Sequence, residues 1–421
     1  MNKFDTIAVH GGYNASIDTK CASPSIHPTT AYLFENAEHA RSVFSLEEAG
    51  NIYSRLTNPT NDVLEQRIAL LEGGVGAISF ASGHAAIAGV VFALASAGDE
   101  VVSSNAIYGG AVNLLGKSIS RLGIKVHFNP PDDYEGLERL INDKTKMIFA
   151  ESIGNPNANV IDIEKYAQIA NKYGIPLVID STFATPYLQR PIEFGADIVV
   201  HSATKYLSGH GNAMMGIVVD SGKFKFEGNP RFKEFNEPDE SYHGIVYARD
   251  CKELALTTKL RAQILRDFGA CASPFNSYLT LLGVETLSLR MQKHCENAVK
   301  VAKFLESHKK VERVNYPALQ SSKYYSLTQK YLPKGCASIF TFDLVGGKNA
   351  GVKFIEALEL FRHVANVGDA RSLVTHPAST THSQLSAKQL SDADITEGTI
   401  RLSIGIEDAE DIIRDLEKAL G

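Results

Sequence analysis

Lys205 closes the run Asp197-Ile198-Val199-Val200-His201-Ser202-Ala203-Thr204, three small or hydroxyl-bearing residues beyond an apolar strand-like stretch. An amine at such a place is drawn out of water, which disfavours its ammonium form and lowers its pKa by up to ~3–5 units at full burial. A neutral lysine amine is the nucleophile that condenses with an aldehyde to a Schiff base. Asp180 ends a second apolar run, Pro176-Leu177-Val178-Ile179. Its carboxylate is poorly solvated there unless a cation, such as a protonated heterocyclic nitrogen, pairs with it. Ser82-Gly83-His84 follows a third run, Ala77-Ile78-Ser79-Phe80-Ala81, and opens a helix-like stretch. Backbone N–H groups at a helix start that contains a glycine suit a phosphate. Glu151 ends a fourth run, Met147-Ile148-Phe149-Ala150. Each group alone has a plainer reading: a solvated surface lysine, an aspartate or serine capping the next helix.

These groups can share one site only if a fold brings their strand ends together. Short apolar runs at residues 77–81, 100–103, 125–128, 147–150, 176–180 and 197–201 alternate with helix-like stretches such as 84–97 and 162–173. That alternation predicts right-handed crossovers and an α/β fold, a mostly parallel sheet with helices on both faces. In such sheets ligands bind beyond the carboxyl ends of the strands, where all four groups fall. An aldehyde-capturing lysine, a buried acid and a phosphate-type helix start together make up a pyridoxal phosphate site. Gly73-Gly74-Val75-Gly76 precedes its strand and lacks the third glycine of a dinucleotide fingerprint, and no Walker loop is present.

Around this core the pattern changes. Residues 1–62 lack a clean period and are rich in Pro, Thr, Asn and Tyr, which predicts an arm lying on another surface, such as a partner subunit's. A charged insertion at about 222–249 carries Phe224, Phe226, Phe232 and Phe235 among many Lys and Glu. One long helix is expected from Ser273-Pro274 through Met291 to Phe304, followed by a smaller α+β domain with strand-like runs at 337–342 and 400–404. The domains are therefore drawn at 1–62, 63–285 and 286–421.

The 421 residues are 44% hydrophobic and 21% charged, the profile of a globular enzyme. With 42 basic against 48 acidic side chains, the net charge of −6 argues against nucleic acid and membrane-surface partners. No apolar stretch approaches the ~20 residues needed to cross a bilayer, and no signal peptide is recognised, so a cytoplasmic location is expected. Five scattered cysteines, none in CxxC spacing, predict neither a disulfide framework nor a zinc site.

Asp180-Ser181-Thr182-Phe183 and the Lys205 run, with Tyr53-Ser54-Arg55-Leu56-Thr57-Asn58-Pro59-Thr60 upstream and His376-Pro377-Ala378-Ser379-Thr380-Thr381-His382 downstream, resemble the Cys/Met-metabolism family of pyridoxal phosphate enzymes across nearly the whole chain. The resemblance implies a fold type I architecture with a seven-stranded sheet and a smaller C-terminal domain. It implies that Lys205 holds the cofactor, that Asp180 pairs with the ring nitrogen, and that Gly83, His84, Thr182, Ser202 and Thr204 contact the cofactor, its phosphate included. It further implies that Tyr108 stacks on the ring, and that Tyr53 and Arg55 reach the phosphate of a neighbouring subunit in a homo-oligomer. His84 stands where many relatives have methionine. Arg401, a cation in the apolar run Ile400-Arg401-Leu402, is implied to bind an amino acid's α-carboxylate with Ser372, Asn155 and Tyr53. Without the resemblance, a salt bridge from Arg401 to a glutamate serves as well. His376 and His382 read as hydrogen-bonding groups of the cofactor-side wall rather than metal ligands.

Within the family, Ser241-Tyr242-His243-Gly244, Lys259-Leu260-Arg261 and Gly368-Asp369-Ala370-Arg371-Ser372-Leu373 resemble the branch acting on O-acetylhomoserine with sulfide. Cystathionine γ-synthase and the γ-lyases are the neighbouring alternatives.

Overall fold

The computed structural model describes residues 2–16, 20–380 and 395–421. A seven-stranded sheet is built from β1 (Gly76–Phe80), β2 (Glu100–Ser104), β3 (Lys125–Asn129), β4 (Thr145–Glu151), β5 (Leu177–Asp180), β6 (Ile198–His201) and β7 (Gly216–Asp220), in the order β1-β7-β6-β5-β4-β2-β3. Only β7 runs against its neighbours. The apolar runs foretell the first six strands. The seventh is the one that reverses, because the segment between β6 and β7 is spent in turns carrying Lys205 and holds no crossover helix, and parallel return requires one.

Both faces of the sheet are covered, so successive strand residues alternate between two apolar layers. Ile148, Ala150, Leu177, Ile179 and Val199 face one layer, which includes the helix Pro59–Glu72. Met147, Phe149, Val178, Ile198 and Val200 face the other, which includes the helix Gly83–Leu94. Glu151 and Asp180 continue the second alternation and are register partners at the ends of β4 and β5.

The insertion is no solvated charged loop. Phe232 and Phe235 are fully buried, Phe226 stacks on Phe235 with ring centroids 3.9 Å apart, and the group packs into the second apolar layer. Lys146 and Lys259 lie over Phe232 and Phe235 at 5.5 and 5.3 Å, so part of the local charge sits on aromatic faces.

The expected single long helix is two, Pro274–Glu285 and Leu287–Glu306, broken at Thr286. The buried Arg290 guanidinium takes the Gly283 carbonyl at 2.6 Å, the oxygen a continuous helix would give to the Leu287 amide. The same guanidinium donates to the carbonyls of Tyr206 (2.8 Å) and Leu207 (3.3 Å), so the break fastens the segment that follows Lys205.

The second sheet comprises β8 (Val311–Asn315), β9 (Ile339–Leu344), β10 (Arg362–His363), β11 (Leu373–Thr375) and β12 (Thr399–Ser403), in the order β10-β11-β12-β9-β8. Arg401 sits on its central strand β12, paired with Thr375 and Thr341 on either side. The helix Phe4–His10 at the start of the chain packs Ile7 and Ala8 into the chain's own core, whereas Leu33 is fully exposed. Among the described residues no helix is long and apolar enough to cross a membrane.

Candidate active site

A cavity of about 250 Å³ lies beyond the carboxyl ends of β1, β4, β5 and β6, and is closed on its far side by residues 365–367 and Arg401. The strand ends deliver Ser82, Gly83, Glu151, Asp180, Ser202, Thr204 and Lys205 to it, joined by His84, Tyr108, Asn155 and Thr182.

Lys205 is mostly buried, and its Nζ donates to Asn366 Oδ1 at 2.6 Å. Burial, with the nearby Arg401 charge, lowers its pKa to about 8. Asp180 Oδ1 accepts from the amide (2.9 Å) and hydroxyl (2.5 Å) of Thr182. Burial raises the Asp180 carboxyl, and the Thr182 hydrogen bonds with the fields of His201 and His84 work against that rise. Such a carboxyl gains from a cationic ring nitrogen, which restores its full charge.

Ser82 caps the helix Gly83–Leu94, its hydroxyl accepting from the Ala85 amide at 3.1 Å. The capping reading of this segment therefore holds, and Ser82, Gly83 and His84 also line the cavity. A Cβ at Gly83 would lie 2.7 Å from Ser202 Cβ, so only glycine lets the helix start and the Ser202 loop form one cradle. Thr182 Oγ1 accepts from the Ser202 amide at 2.8 Å, tying the Asp180 loop to the same cradle. Thr204 Oγ1 accepts from the Met215 amide at 3.0 Å. His84 and Tyr108 meet edge to face with centroids 5.7 Å apart. This donor set, an anion cradle at a helix start opposite a desolvated amine and a buried carboxyl, fits an aromatic aldehyde that bears a phosphate.

Arg401 is 4% exposed and donates to Asn155 Oδ1 (3.2 Å) and the Asn366 carbonyl (3.3 Å), both neutral oxygens. Among the described residues no carboxylate pairs with it, so the glutamate salt bridge open to the sequence is not formed. Burial lowers its pKa to about 10. A buried guanidinium without a counter-ion calls for an anionic ligand.

Four expected residues, Ser372, His376, Tyr53 and Arg55, do not line the cavity. Ser372 is buried behind the cavity, donating to Glu407 Oε2 at 2.9 Å and accepting from the Gly405 amide at 2.9 Å. His376 is held within the C-terminal domain between Ser379 Oγ and the Glu397 carbonyl, both at 2.8 Å, and does not line the cavity. His382 lies outside the described residues. Tyr53 and Arg55 do not line this chain's cavity, and the Arg55 guanidinium lies 5.1 Å over the Tyr53 ring. Among the described residues no cluster of three or more His, Cys, Asp and Glu is arranged for a metal. Asn366, which touches both Lys205 and Arg401, carries no sequence signal. It lies in an irregular loop between β10 and β11, and its contact with Lys205 spans 161 residues of chain.

A desolvated lysine and a buried carboxyl beside an anion cradle, with an arginine that no carboxylate of the described residues pairs, define an enzyme that handles amino acids through an aldehyde cofactor. The chain matches the model of the Cys/Met metabolism PLP-dependent enzymes over residues 5–421 and belongs to that family. It is 47% identical to the O-acetyl-L-homoserine sulfhydrylase of Leptospira meyeri, covering 99% of this chain and 96% of that protein. It is 45% identical to the homocysteine synthase of Schizosaccharomyces pombe, covering 99% and 98%. A Campylobacter jejuni crystal structure named for an O-acetylhomoserine (thiol)-lyase superposes with a TM-score of 0.97 at 43% identity, over 100% of both chains. That structure carries N′-pyridoxyl-lysine-5′-monophosphate at its position 205.

Proposed function

We propose that this chain replaces the γ-acetoxy group of O-acetyl-L-homoserine by sulfide or a small thiol, releasing acetate and forming L-homocysteine or its S-alkyl counterpart, methionine, in methionine biosynthesis. The observation that carries the reading is Arg401, a buried cation whose partners among the described residues are neutral, held near Lys205 by their shared contact with Asn366. The α-carboxylate of an amino acid supplies the missing anion, and Asn155, already bonded to the guanidinium, steadies it. Full-length similarity to proteins named for O-acetylhomoserine sulfhydrylation and homocysteine synthesis supports this branch over the cystathionine enzymes and γ-lyases.

Lys205, Asp180, Thr182, Ser202, Thr204, Tyr108 and the amides of Gly83 and His84 would hold pyridoxal phosphate, which when bound supplies an electron sink for deprotonation at Cα. Lys205 takes the Cα proton and moves a proton at Cβ, since a pKa near 8 leaves a usable neutral fraction. The Cγ–O bond then breaks with its electron pair leaving on acetate, and sulfide forms the Cγ–S bond, so one anion enters as one departs. Protons return to Cβ and Cα from Lys205, with the Tyr108 hydroxyl as second carrier. Tyr53 and Arg55, on the arm 1–62, complete the phosphate and substrate sites of a neighbouring copy, and the active species is a cytoplasmic homo-oligomer of the three-part chain drawn above. Their position outside this chain's own cavity supports that reading.

The test supplies the purified holoenzyme with O-acetyl- and O-succinylhomoserine in parallel, with sulfide or cysteine as nucleophile. Homocysteine from the acetyl ester is expected to predominate. Cystathionine forming faster than homocysteine would overturn the branch, and borohydride reduction that tags any residue but Lys205 would overturn the chemistry.

A further inference from the structure

Glu151 is a buried carboxyl in the cavity wall to which none of the steps above gives a task. It ends β4 directly beside Asp180 on β5. Its Oε1 accepts the backbone N–H of Tyr108 at 2.7 Å, and the backbone N–H of Asn155 lies close enough to the same carboxyl to favour its charge. Tyr108 belongs to the loop that follows β2, and Asn155 to the loop that follows β4 itself. One side chain thus joins two loops that stand on separate strands, and each loop presents a cavity residue.

We propose that Glu151 is a positioning residue, whose carboxyl clamps the Tyr108 and Asn155 loops to the end of β4 and so sets the ring of the one and the carboxamide of the other around the bound substrate and cofactor. The roles of Tyr108 and Asn155 rest on the function proposed above, whereas the clamp itself rests on the hydrogen bonds.

The neighbouring charges agree with a clamp rather than an ionic role. Burial and the adjacent Asp180 both push the Glu151 carboxyl well up, while Asp180 has two Thr182 donors and the fields of two histidines in favour of its charge. Burial and the neighbouring Asp180 thus both favour the protonated form of Glu151. A protonated carboxyl offers a carbonyl oxygen to two amides, as the carboxamide of glutamine does. Each amide left without an acceptor on removal of that oxygen, buried from water, costs about tenfold or more in the equilibrium it controls.

The experiment compares the wild-type holoenzyme with Glu151→Gln, Glu151→Ala and Glu151→Asp by hydrogen exchange of the peptides spanning residues 105–112 and 152–158, and by steady-state kinetics. Glu151→Gln is expected to keep wild-type protection and a kcat/KM within about threefold. Glu151→Ala is expected to exchange about tenfold faster in both peptides and no faster elsewhere, with KM for the amino acid rising about tenfold and kcat falling less. Unchanged exchange in both peptides of Glu151→Ala, or Glu151→Gln as impaired as Glu151→Ala, overturns the clamp. If Glu151→Ala does not fold, Glu151→Asp decides: one methylene shorter, it is expected to lose protection in at least one of the two peptides, and protection retained in both overturns the proposal. The exchange pattern does not depend on which γ-substituted amino acid is turned over, so an error in substrate leaves this readout intact.

Discussion

Stripping the protein of cofactor and titrating the Lys205 amine tests the electrostatics on which the chemistry depends. Burial, aided by Arg401, brings this amine from 10.5 to about 8. At about pH 7.5 roughly a quarter of such amines are neutral, against roughly 0.1% of ordinary lysines, a gain of roughly 200-fold in nucleophile. The cost appears in stability. Below pH 8 both folded and unfolded chains hold the proton, and the folded state bears the full penalty, about 3 kcal/mol. Between pH 8 and 10.5 the unfolded chain keeps a proton that the folded chain has released, so stability rises with pH across that window. Competitive acylation with an isotopic anhydride, read by mass spectrometry of the Lys205 peptide, gives the midpoint directly. It should fall near 8, and Arg401→Gln should raise it while leaving it below 10.5, since burial is the larger cause. A midpoint above about 10 in the wild type, or a downward shift in Arg401→Gln, refutes the reasoning.

Two further substitutions separate the cradle from the scaffold. In Gly83→Ala the new Cβ meets Ser202 Cβ at 2.7 Å and Ser202 Cα at 3.0 Å, forcing apart the two sides of the phosphate cradle. Cofactor titration of the stripped protein should show affinity reduced by about tenfold or more, at a stability cost of about 1–3 kcal/mol. Unchanged affinity would remove the cradle from the site. Arg290→Met takes a buried donor from the carbonyls of Tyr206, Leu207 and Gly283, and should destabilise the fold by about 2–3 kcal/mol in chemical or thermal unfolding. Because residues 206 and 207 follow Lys205, kcat should fall more than substrate affinity does, and an unaltered unfolding midpoint counts against this assignment.

Six strands and the groups at their ends are legible along the chain, because a run of β-branched and apolar residues closed by a lysine, an acid or a glycine is a local property. Lys205, Asp180, Gly83 and Glu151 are found in this way, and the crossover rule then places them at one edge of one sheet. The aromatic insertion is not legible in this way, since composition counts its lysines and glutamates but does not show Phe226 stacked on Phe235 inside the apolar layer. The long helix misleads: helical periodicity continues through Thr286, and at the break Arg290 takes the Gly283 carbonyl of the first helix together with the Tyr206 carbonyl beyond Lys205.

The order of residues along the chain was enough to specify an α/β sheet, a lysine at a strand end drawn out of water and a glycine-containing helix start beside it, since strand period, apolar runs and capping chemistry act over a few neighbours. Folding in three dimensions settled the rest: the reversed β7, the absence among the described residues of a carboxylate beside Arg401, the bonding of Ser372 to Glu407, and the meeting of Lys205 with Asn366. Those facts depend on which side chains arrive at the same place from distant stretches of chain, and no local preference encodes that arrival. Burial then makes each meeting matter, because in the absence of water a charge or a donor must find its partner in whatever the fold has brought beside it.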